Sequence, residues 1–442
     1  MIALKFGGSA IGNAQRIYNV GEIINTYLSK KPIVVLSAIG DTTDLLIQAG
    51  NNALQGRIDG QEIRELHYSI LSDFKLPSSS IDPLLLEINN ILMGISLIKE
   101  FSKKTFDTLI SYGERISVRV VSEYLNKIGI KSKAYDAWDI GMVTDSNFTN
   151  AEVLDSSFIN IRSNLSYLET NYDHVPIITG FIGKNENGEI TTLGRGGSDL
   201  SVCVIGAALD VEEVQVWKDV DGILSCDPKI VKNPLTLDTL TYEEASELAY
   251  FGAKVLHPRA LHPAMKMHIP VYVKNYLYPE KNGTKIINEQ IENEKLLQAI
   301  TVKRNVLLID VVSSRMLGSY GFLAKVFGIL RDLKISVDMV ATSEVSISFT
   351  LDFADDIDLL VKELSKIASV EVKNRNSIIS LIGNVKKSSE ILLMTFQILN
   401  DLGINIKMIS QGASKVNIGF IVNDDEADKC VEQLHQKFFY GV

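Results

Sequence analysis

The sequence predicts an α/β protein in which a mostly parallel sheet lies between layers of helices, followed by two small α+β modules. Before about residue 284, short apolar runs such as 33–36 and 175–178 alternate with amphipathic segments. Strands that are apolar throughout are usually buried on both faces, as in a parallel sheet covered by helices. Farther along, the pattern at 326–339 recurs at 395–408, and an alternating strand follows each copy. Each copy therefore predicts a helix, a strand, a turn and a second strand.

The domain boundaries are expected at the polar stretch 278–283 and between the two copies. We predict a large α/β region at 1–284, a linker and a first strand at 285–305, and α+β modules at 306–378 and 379–442. Two copies are too few for a solenoid, which needs at least about three stacked units. The modules are therefore expected to have separate cores and to pack together.

Composition favours small-molecule chemistry. The 442 residues carry a formal charge of -10 and no basic tract, which argues against nucleic acid or an anionic membrane as a partner. The mean hydropathy is +0.12, and no apolar run approaches the roughly 18 residues that a membrane span needs. The N-terminus has no secretory pattern, so a cytoplasmic location is expected.

Cysteine and histidine usage gives no sign of a disulfide framework or a transition-metal site. Cys203, Cys226 and Cys430 are scattered and form no C-x-x-C pair, so we expect them to be reduced and structural. The six histidines include no H-E-x-x-H pattern.

The first motif with chemical meaning is residues 5–9, where a short strand at 2–5 gives way to a helix. Gly7 and Gly8 permit close backbone approach, so that their N–H groups can face phosphate oxygens at a helix N-terminus. Lys5 adds a mobile cation. A tight strand-to-helix turn with a solvated lysine fits these residues equally well.

A second glycine-rich loop at 191–199 opens a helix that runs through 200–209. Arg195 supplies a planar fork suited to a carboxylate or a phosphate. Ser198 and Asp199 lie at the helix N-terminus, where backbone N–H groups are available as donors. The alternative interpretation makes Asp199 only a cap and Arg195 only a surface residue.

Three further segments carry weaker signals. Lys218 and Asp219 follow an apolar strand, as a nucleotide-contacting loop would at the carboxyl edge of a parallel sheet, although an ordinary turn fits as well. Lys254 follows a helical pattern that begins at Glu243. Glu114 lies where another helical stretch is interrupted, and residue type alone favours a solvated carboxylate there. The P-loop and protein-kinase motifs are absent, so phosphoryl transfer would need a different fold.

Taken in order, residues 5–9, 194–199, 217–228 and 251–258 resemble the aspartate kinases of the amino-acid kinase superfamily. The duplicated tail resembles the tandem ACT modules, of ferredoxin-like fold, that family members carry. The resemblance spans essentially the whole chain and implies a three-layer αβα kinase domain. It also implies ATP-dependent phosphorylation of the side-chain carboxylate of L-aspartate, the first step toward lysine, threonine and methionine.

The resemblance assigns catalytic roles to Lys5, Asp199 and Lys254. It implies ATP with Mg²⁺, where the metal bridges the phosphates and keeps most of its waters, so no residue is assigned as a metal ligand. Contacts with ATP are expected from Lys5, Gly7, Gly8, Ser9, Lys218, Asp219, Lys229, Lys254 and Val255. Contacts with L-aspartate are expected from Thr43, Glu114, Arg195, Gly196, Gly197 and Ser198. The chain departs from many relatives at Ser9 and Ala10, and it has Leu224 where some relatives place a nucleotide-contacting aromatic residue.

The first ACT module resembles those of lysine-sensitive members, which implies feedback inhibition by L-lysine. Asp338 and Glu344 could pair with an ε-ammonium, which favours a basic effector. The alternative is that the modules only dimerise the protein, and we expect a homodimer or a dimer of dimers through them. The effector pocket implied by the resemblance comprises Met316, Ser319, Phe322, Leu323, Ser336, Val337, Asp338, Thr342, Ser343 and Glu344.

Two other functions compete with this interpretation. One is a related kinase that acts on glutamate, acetylglutamate or a nucleoside monophosphate, but such relatives generally lack the tandem modules. The other is an amino-acid-sensing protein with a catalytically weak kinase domain. The second is disfavoured by the presence of Lys5, Lys254, Arg195, Glu114 and Asp199.

Overall fold

The computed structural model describes residues 1–252, 256–288, 295–313, 320–352 and 357–441. Its contacts divide the chain into two compact units. The N-terminal unit consists of Met1–Ile223, Thr236–Tyr242 and Val255–Gln290, and the C-terminal unit consists of Leu224–Leu235, Glu243–Lys254 and Ile291–Val442. The boundaries drawn from the sequence stay predictions.

The regular elements alternate between strands and helices along most of the chain. The strands up to residue 288 are β1 (Ile2–Phe6), β2 (Pro32–Leu36), β3 (Ser132–Tyr135), β4 (Val143–Thr144), β5 (Val175–Thr179), β6 (Ile182–Asn185), β7 (Ile190–Thr192), β8 (Glu213–Lys218), β9 (Thr239–Thr241), β10 (Val271–Asn275) and β11 (Thr284–Ile287). The helices are α1 (Ala14–Thr26), α2 (Thr42–Leu54), α3 (Gln61–Asp73), α4 (Asp82–Ile98), α5 (Lys103–Ile110), α6 (Tyr112–Lys127), α7 (Ser156–Leu165), α8 (Tyr167–Thr170), α9 (Gly197–Leu209), α10 (Tyr242–Tyr250) and α11 (Pro258–Lys266).

The N-terminal unit is built on an eight-stranded sheet with the order β3-β5-β2-β1-β8-β10-β11-β9. In the described residues its neighbouring strands are parallel, except that β10 and β11 are antiparallel. Side chains alternate between the faces of a strand. Ile2, Leu4 and Phe6 therefore join one core with α1, α2 and α6, while Lys5 lies on the opposite face with α9. The predicted mostly parallel sheet between helical layers is confirmed.

The register of the sheet places three loops at one edge. Phe6 is level with Leu36 and with Trp217, so β1, β2 and β8 end together. The segments that follow these strands therefore leave from the same side of the sheet, which is where parallel α/β sheets bind ligands. A further three-stranded sheet, β4-β6-β7, leads into the glycine-rich loop before α9.

The C-terminal unit contains a six-stranded antiparallel sheet with the order β13-β14-β12-β15-β17-β16. The predicted helix, strand, turn and strand of each copy are present, as α12-β13-β14 and α14-β16-β17. The long strands β12 and β15 pair at the centre, and each half has its own hydrophobic core. Its elements are β12 (Leu297–Val312), α12 (Phe322–Asp332), β13 (Val340–Thr342), β14 (Ser346–Asp352), α13 (Ile357–Ser365), β15 (Ser369–Gly383), α14 (Ser388–Leu402), β16 (Met408–Ser410), β17 (Asn417–Asn423) and α15 (Ala427–His435).

The other face of this sheet is covered in part by the end of α10. Phe251 packs with Leu308, Met339 and Ile421, and the Thr301 hydroxyl donates to the Phe251 carbonyl at 2.9 Å. The chain is therefore fixed on the sheet directly before residue 253. Among the helices that the structure describes, none has the length and apolarity to cross a bilayer.

Candidate active site

A buried cluster of opposite charges lies where β1 and β8 end. The Lys5 Nζ is 2.7 Å from Asp199 Oδ1, and the Lys218 Nζ is 3.1 Å from Asp199 Oδ2. The side chains of Lys5 and Asp199 are only 8% and 7% exposed. The sequence-based expectation of a mobile Lys5 is therefore wrong, because Asp199 on α9 holds the amine in place.

The two lysines favour the ionised form of Asp199 despite its burial. Burial opposes the charge of Asp199, but the positive charges of Lys5 and Lys218 outweigh it and lower the pKa of the carboxyl. Burial lowers the pKa of Lys218, and the attraction of Asp199 acts against that shift. The Asp199 carboxylate thus lies between two amines at the edge of the sheet where ligands bind in parallel α/β folds.

The first glycine loop depends on close backbone packing. A Cβ on Gly8 would lie 2.7 Å from the carbonyl oxygen of Ala38, and the Gly40 N–H donates to the Gly8 carbonyl at 3.2 Å. The loops after β1 and β2 are therefore in backbone contact. The Ser9 side chain is exposed, and its carbonyl accepts from Arg16.

The second glycine loop places α9 with its N-terminus at this edge. Gly196 is the N-cap residue with φ +73°, and an added Cβ would lie 2.7 Å from the Cβ of His257. Ser198 and Asp199 fall in the first helical turn, and no side-chain cap hydrogen bond is formed. The interpretation of Asp199 as only a cap is therefore wrong. Arg195 is exposed beside this turn.

Glu114 near the start of α6 is buried, with 3% of its surface exposed. One carboxylate oxygen, Oε1, accepts from the Ala38 N–H at 3.1 Å, and Oε2 has no hydrogen-bond partner among the described residues. Burial raises the pKa of Glu114 to about 8. The expectation of a solvated carboxylate is wrong because the loop after β2 covers the first turn of α6.

These residues line one cavity of about 520 Å³ in the N-terminal unit, a volume that suits a small ligand. The predicted site residues among its lining are Lys5, Gly8, Thr43, Glu114, Arg195, Gly196, Gly197, Ser198 and Asp199. Thr192 and Gly194 also line it and belong to the predicted glycine-rich loop, although no individual role was assigned to them. The lining that sequence reasoning missed comprises Ser37, Ala38, Gly40, Ile47, Phe106, Ile110, Thr149 and Phe181.

Part of the missed lining carried a usable signal. Ser37 and Gly40 follow β2, which is apolar throughout, and in a parallel sheet that loop should meet the loop after β1. The Ser37 hydroxyl donates to the Ser198 hydroxyl at 3.0 Å, which joins this loop to α9. Phe106 and Thr149 had no such signal, because their segments reach the cavity only through the tertiary fold.

The remaining predicted nucleotide contacts that the structure describes are not in the lining of this cavity. Gly7, Ser9, Lys218 and Asp219 belong to the N-terminal unit. Lys229 is exposed in the C-terminal unit. Lys254 and Val255 lie outside the described residues, so their predicted roles stay predictions.

Metal-ligating side chains are not clustered in the described residues. Within the described residues, no three or more His, Cys, Asp or Glu side chains are grouped so that they could hold a metal ion.

The predicted effector residues lie in the first half of the C-terminal sheet. Asp338 Oδ1 accepts from the Tyr250 hydroxyl at 2.7 Å and from Lys303 Nζ at 2.8 Å. Asp338 Oδ2 is buried and has no hydrogen-bond partner among the described residues. Met316 and Ser319 lie outside those residues. The exposed members are Leu323, Ser336, Thr342, Ser343 and Glu344, and the partly buried ones are Phe322 and Val337.

Comparison with known proteins matches both parts of this architecture. The model of the amino acid kinase family matches residues 1–275, and that of the ACT domain matches residues 309–365 and 379–438. The chain is 47% identical to chloroplastic aspartokinase 2 of Arabidopsis thaliana, over 99% of this chain and 84% of that protein. It is 34% identical to lysine-sensitive aspartokinase 3 of Escherichia coli K12, over 99% of both.

Solved structures give the same result. The structure of E. coli aspartokinase III in complex with aspartate and ADP, in the R-state, has a TM-score of 0.84 at 33% identity and covers 99% of this chain and 100% of that one. The complex of that enzyme with lysine and aspartate, in the T-state, has a TM-score of 0.78 at 33% identity, with 99% of both chains covered. The family match, the full-length relatives and these structures together show that the chain belongs to the aspartokinases, aspartate kinases of the amino acid kinase family with ACT domains.

Proposed function

We propose that the cavity between β1, α6 and the N-terminus of α9 is where this chain transfers the γ-phosphoryl group of ATP to the side-chain carboxylate of L-aspartate. The observation that carries the proposal is the shared cavity itself. A buried Lys5–Asp199 pair, an unpartnered carboxylate oxygen of Glu114 and the exposed guanidinium of Arg195 all line it. In support, a structural neighbour at 33% identity holds aspartate and ADP.

The reaction suits these residues because it needs no general base. A side-chain carboxylate is ionised at pH 7, with an unperturbed pKa of about 3.9. One of its oxygens forms the new bond to the γ-phosphorus, and the bond to the bridging oxygen breaks, so that ADP leaves with the electron pair. The protein must bring two anions together and neutralise developing charge. Lys5, held by Asp199, supplies a fixed cation for this purpose.

The two ends of aspartate find complementary groups in the cavity. We place the α-ammonium on Glu114 Oε2, which is buried without a hydrogen-bond partner among the described residues. One aspartate carboxylate pairs with the guanidinium fork of Arg195. Thr43 and Ser198 supply hydroxyl groups in the same lining. The side-chain carboxylate is then directed toward Lys5.

The ATP phosphates are proposed to contact backbone N–H groups of the glycine loops and several lysine side chains. Gly7, Gly8 and the first turn of α9 offer N–H groups to phosphate oxygens. Lys254 is proposed as a second phosphate contact, and Ser9, Lys218, Asp219, Lys229 and Val255 as further nucleotide contacts. Mg²⁺ would neutralise charge on the ATP phosphates, which with water supply its preferred oxygen ligands.

The acceptor is tested by measuring ADP release with aspartate, with glutamate and with no acceptor. An acyl phosphate product is trapped with hydroxylamine as the hydroxamate. We expect ADP and hydroxamate to form in equal amounts with aspartate, and much more slowly with glutamate. ADP release that is independent of aspartate, or an absence of turnover despite aspartate binding, would instead support a sensor with a weak kinase domain.

We further propose that L-lysine inhibits the enzyme at the first ACT module. Asp338 Oδ2 is buried without a hydrogen-bond partner among the described residues, although Lys303 pairs with Oδ1, and Glu344 is exposed in the same module. These two carboxylates are the groups proposed for an ε-ammonium. Oδ1 of Asp338 is bonded to Tyr250, four positions before Lys254, so an effector at Asp338 would act directly on the segment that carries Lys254. A relative with 34% identity is named lysine-sensitive. Inhibition curves with lysine, with threonine and with both test this, and an absence of lysine inhibition at millimolar levels would contradict it.

Dimerisation through the ACT modules is also proposed. The edge strands β13 and β16 of the described sheet are three residues long and expose Val340 and Ile409. Because β13 and β16 also contact each other, the proposal rests on these exposed apolar side chains, which a second chain could cover. Light scattering after gel filtration should give twice or four times the chain mass of 48.9 kDa. A monomer at micromolar concentration would contradict the proposal.

A further inference from the structure

Thr149 is a β-branched residue in a left-handed backbone conformation, with φ +74°. It lies in the loop between β4 and α7 and lines the cavity. Non-glycine residues rarely adopt this conformation, and a β-branched residue there persists only when its surroundings impose it. The question is therefore which group imposes it.

Asp107 on α5 is the group that holds Thr149. It is fully buried, and its Oδ2 accepts from the Thr149 N–H at 2.8 Å and from the Thr192 N–H at 2.9 Å. Its Oδ1 accepts from the Thr192 hydroxyl at 2.8 Å. A single carboxylate thus ties together two cavity-lining segments that are distant in sequence.

The segments that contain Thr149 and Thr192 are also joined by a hydrogen bond that does not involve Asp107. The Ala151 N–H donates to the Thr192 carbonyl at 2.9 Å, so the loop is joined to the end of β7. Arg259 donates to the carbonyl of Ala151 at 2.5 Å and to the side chain of Asn150 at 3.0 Å. The loop therefore has two anchors, Asp107 inside and Arg259 outside.

This joint sets the position of the second glycine loop. An added Cβ on Gly194, which has φ +71°, would lie 2.7 Å from Asn150 Oδ1 and 3.1 Å from the Thr149 carbonyl. Any displacement of Thr149 would therefore reach Gly194, and through it the neighbouring Arg195. A misplacement of about 1 Å can reduce turnover on the order of 10²-fold.

We propose that Asp107 is a positioning residue for the acceptor end of the cavity. By holding Thr149 in the left-handed conformation and Thr192 in register, it fixes the loop against which Gly194 and Arg195 are placed. This inference rests on the proposed function, because it assigns the Arg195 end of the cavity to aspartate. Asp107 itself touches neither substrate.

The test is Asp107→Ala, which removes both carboxylate oxygens and so leaves the N–H groups of Thr149 and Thr192 without their acceptor. We expect the KM for aspartate to rise about tenfold or more, since Arg195 is misplaced, while the KM for ATP stays within about twofold. In the double variant with Thr149→Gly, most of the loss should be recovered, because glycine adopts positive φ without help. Equal changes in both KM values, or an unchanged KM for aspartate, would overturn the proposal.

Ser157→Ala is the matched control. Ser157 is fully buried, and its hydroxyl accepts from the Val143 N–H and donates to the Val143 carbonyl, outside the cavity lining. It should lower the melting temperature without changing either KM. Amide hydrogen exchange gives a readout that needs no activity: Asp107→Ala should deprotect the amides of Thr149 and Thr192 specifically. Wild-type protein without aspartate-dependent turnover would contradict the proposed function, whereas unchanged exchange at these amides would contradict the role of Asp107.

Discussion

Lys5 is the residue on which phosphoryl transfer should depend most. It is a buried cation that points into the cavity and is fixed by a carboxylate at 2.7 Å. We expect Lys5→Ala to lower kcat by about 10²-fold to 10³-fold, as is typical when a preorganised charge is removed from the transition state. The kcat of the variant is measured as the rate of ADP release at saturating concentrations of both substrates.

The control for Lys5 is Lys30→Ala. Lys30 is a partly exposed lysine whose amine lies 3.3 Å from Glu213. We expect its removal to leave turnover unchanged, because an exposed ion pair contributes little. A Lys5→Ala variant with full turnover would reject the catalytic assignment.

Glu114 should make aspartate binding depend on pH. Its pKa of about 8 in the empty cavity means that the carboxyl is largely protonated at pH 7. Since only the ionised form pairs with an ammonium, kcat/KM for aspartate should fall about tenfold for each pH unit below that value. Glu114→Gln should abolish this dependence and lower kcat/KM at pH 8. A wild-type profile that is flat from pH 6 to 8 would contradict the assignment.

The raised pKa of Glu114 also makes the free energy of unfolding depend on pH. Because the folded-state pKa lies above the ordinary 4.5, the folded chain binds more protons than the unfolded chain between these values. The stabilisation is therefore fully present below about pH 4.5 and is lost as the pH rises through about 8. Glu114→Gln should gain stability relative to wild type over that interval, as urea unfolding at each pH would measure.

At the scale of the elements, the contact between the loops after β1 and β2 leaves no room for a side chain. In Gly8→Ala the new Cβ would lie 2.7 Å from a backbone carbonyl, so the two loops must separate. We expect a loss of ATP-dependent turnover and a destabilisation of about 1–3 kcal/mol, typical of overpacking. Thermal unfolding and ADP release measure the two effects.

Gly94→Ala in α4 is the matched substitution. Beyond the backbone of α4 itself and the neighbouring residues, no described atom lies within 4 Å of the added Cβ, so alanine should be tolerated there. We expect a gain of up to about 1 kcal/mol, because alanine favours a helix over glycine. If Gly8→Ala behaved like Gly94→Ala, the packing of the loops would not matter for the site.

The end of α10 contacts Asp338, a residue of the proposed effector pocket. The Tyr250 hydroxyl donates to Asp338 Oδ1, and the Lys303 amine lies over the Tyr250 ring at 5.0 Å. In Tyr250→Phe the ring remains but the hydrogen bond is lost, so the concentration of lysine that gives half inhibition should rise about fivefold or more. Turnover without lysine should not change.

Tyr440→Phe serves as the control for that prediction, since its hydroxyl donates only to the carbonyl of Asn233 on the same unit. Its inhibition curve should match that of wild type. Unchanged inhibition in Tyr250→Phe would exclude this hydrogen bond from the response to lysine.

The strands and the glycine loops could be predicted from the sequence. The contacts between residues that are distant in sequence could not. β1, β2 and β5 are buried along their whole length, so their positions follow from local hydrophobicity. The burial of Glu114 depends on the loop after β2, which is distant in sequence. The hydrogen bonds of Asp107 likewise join α5 to Thr149 and Thr192. Long-range packing of this kind has no periodic signature in a single sequence.

At the scale of the whole molecule, the proposed catalytic cavity lies in one unit and the described residues of the proposed effector pocket lie in the other. The order of the motifs predicted the kinase fold and the paired modules, because each motif retains its local pattern. Their division into units is less simple, since Leu224–Leu235 and Glu243–Lys254 belong to the C-terminal unit by contact although they precede the polar stretch at 278–283 in sequence. Packing against the antiparallel sheet, which local composition does not encode, determines that assignment.

The most direct measurement is a crystal structure of this chain with L-aspartate and a non-hydrolysable ATP analogue. We expect the α-ammonium of aspartate within hydrogen-bonding distance of Glu114 and one carboxylate on Arg195. The other carboxylate should face the terminal phosphate beside the Lys5 amine. Aspartate bound elsewhere, or a Lys5 amine directed away from the triphosphate, would contradict the assignment of this cavity as the site of phosphoryl transfer.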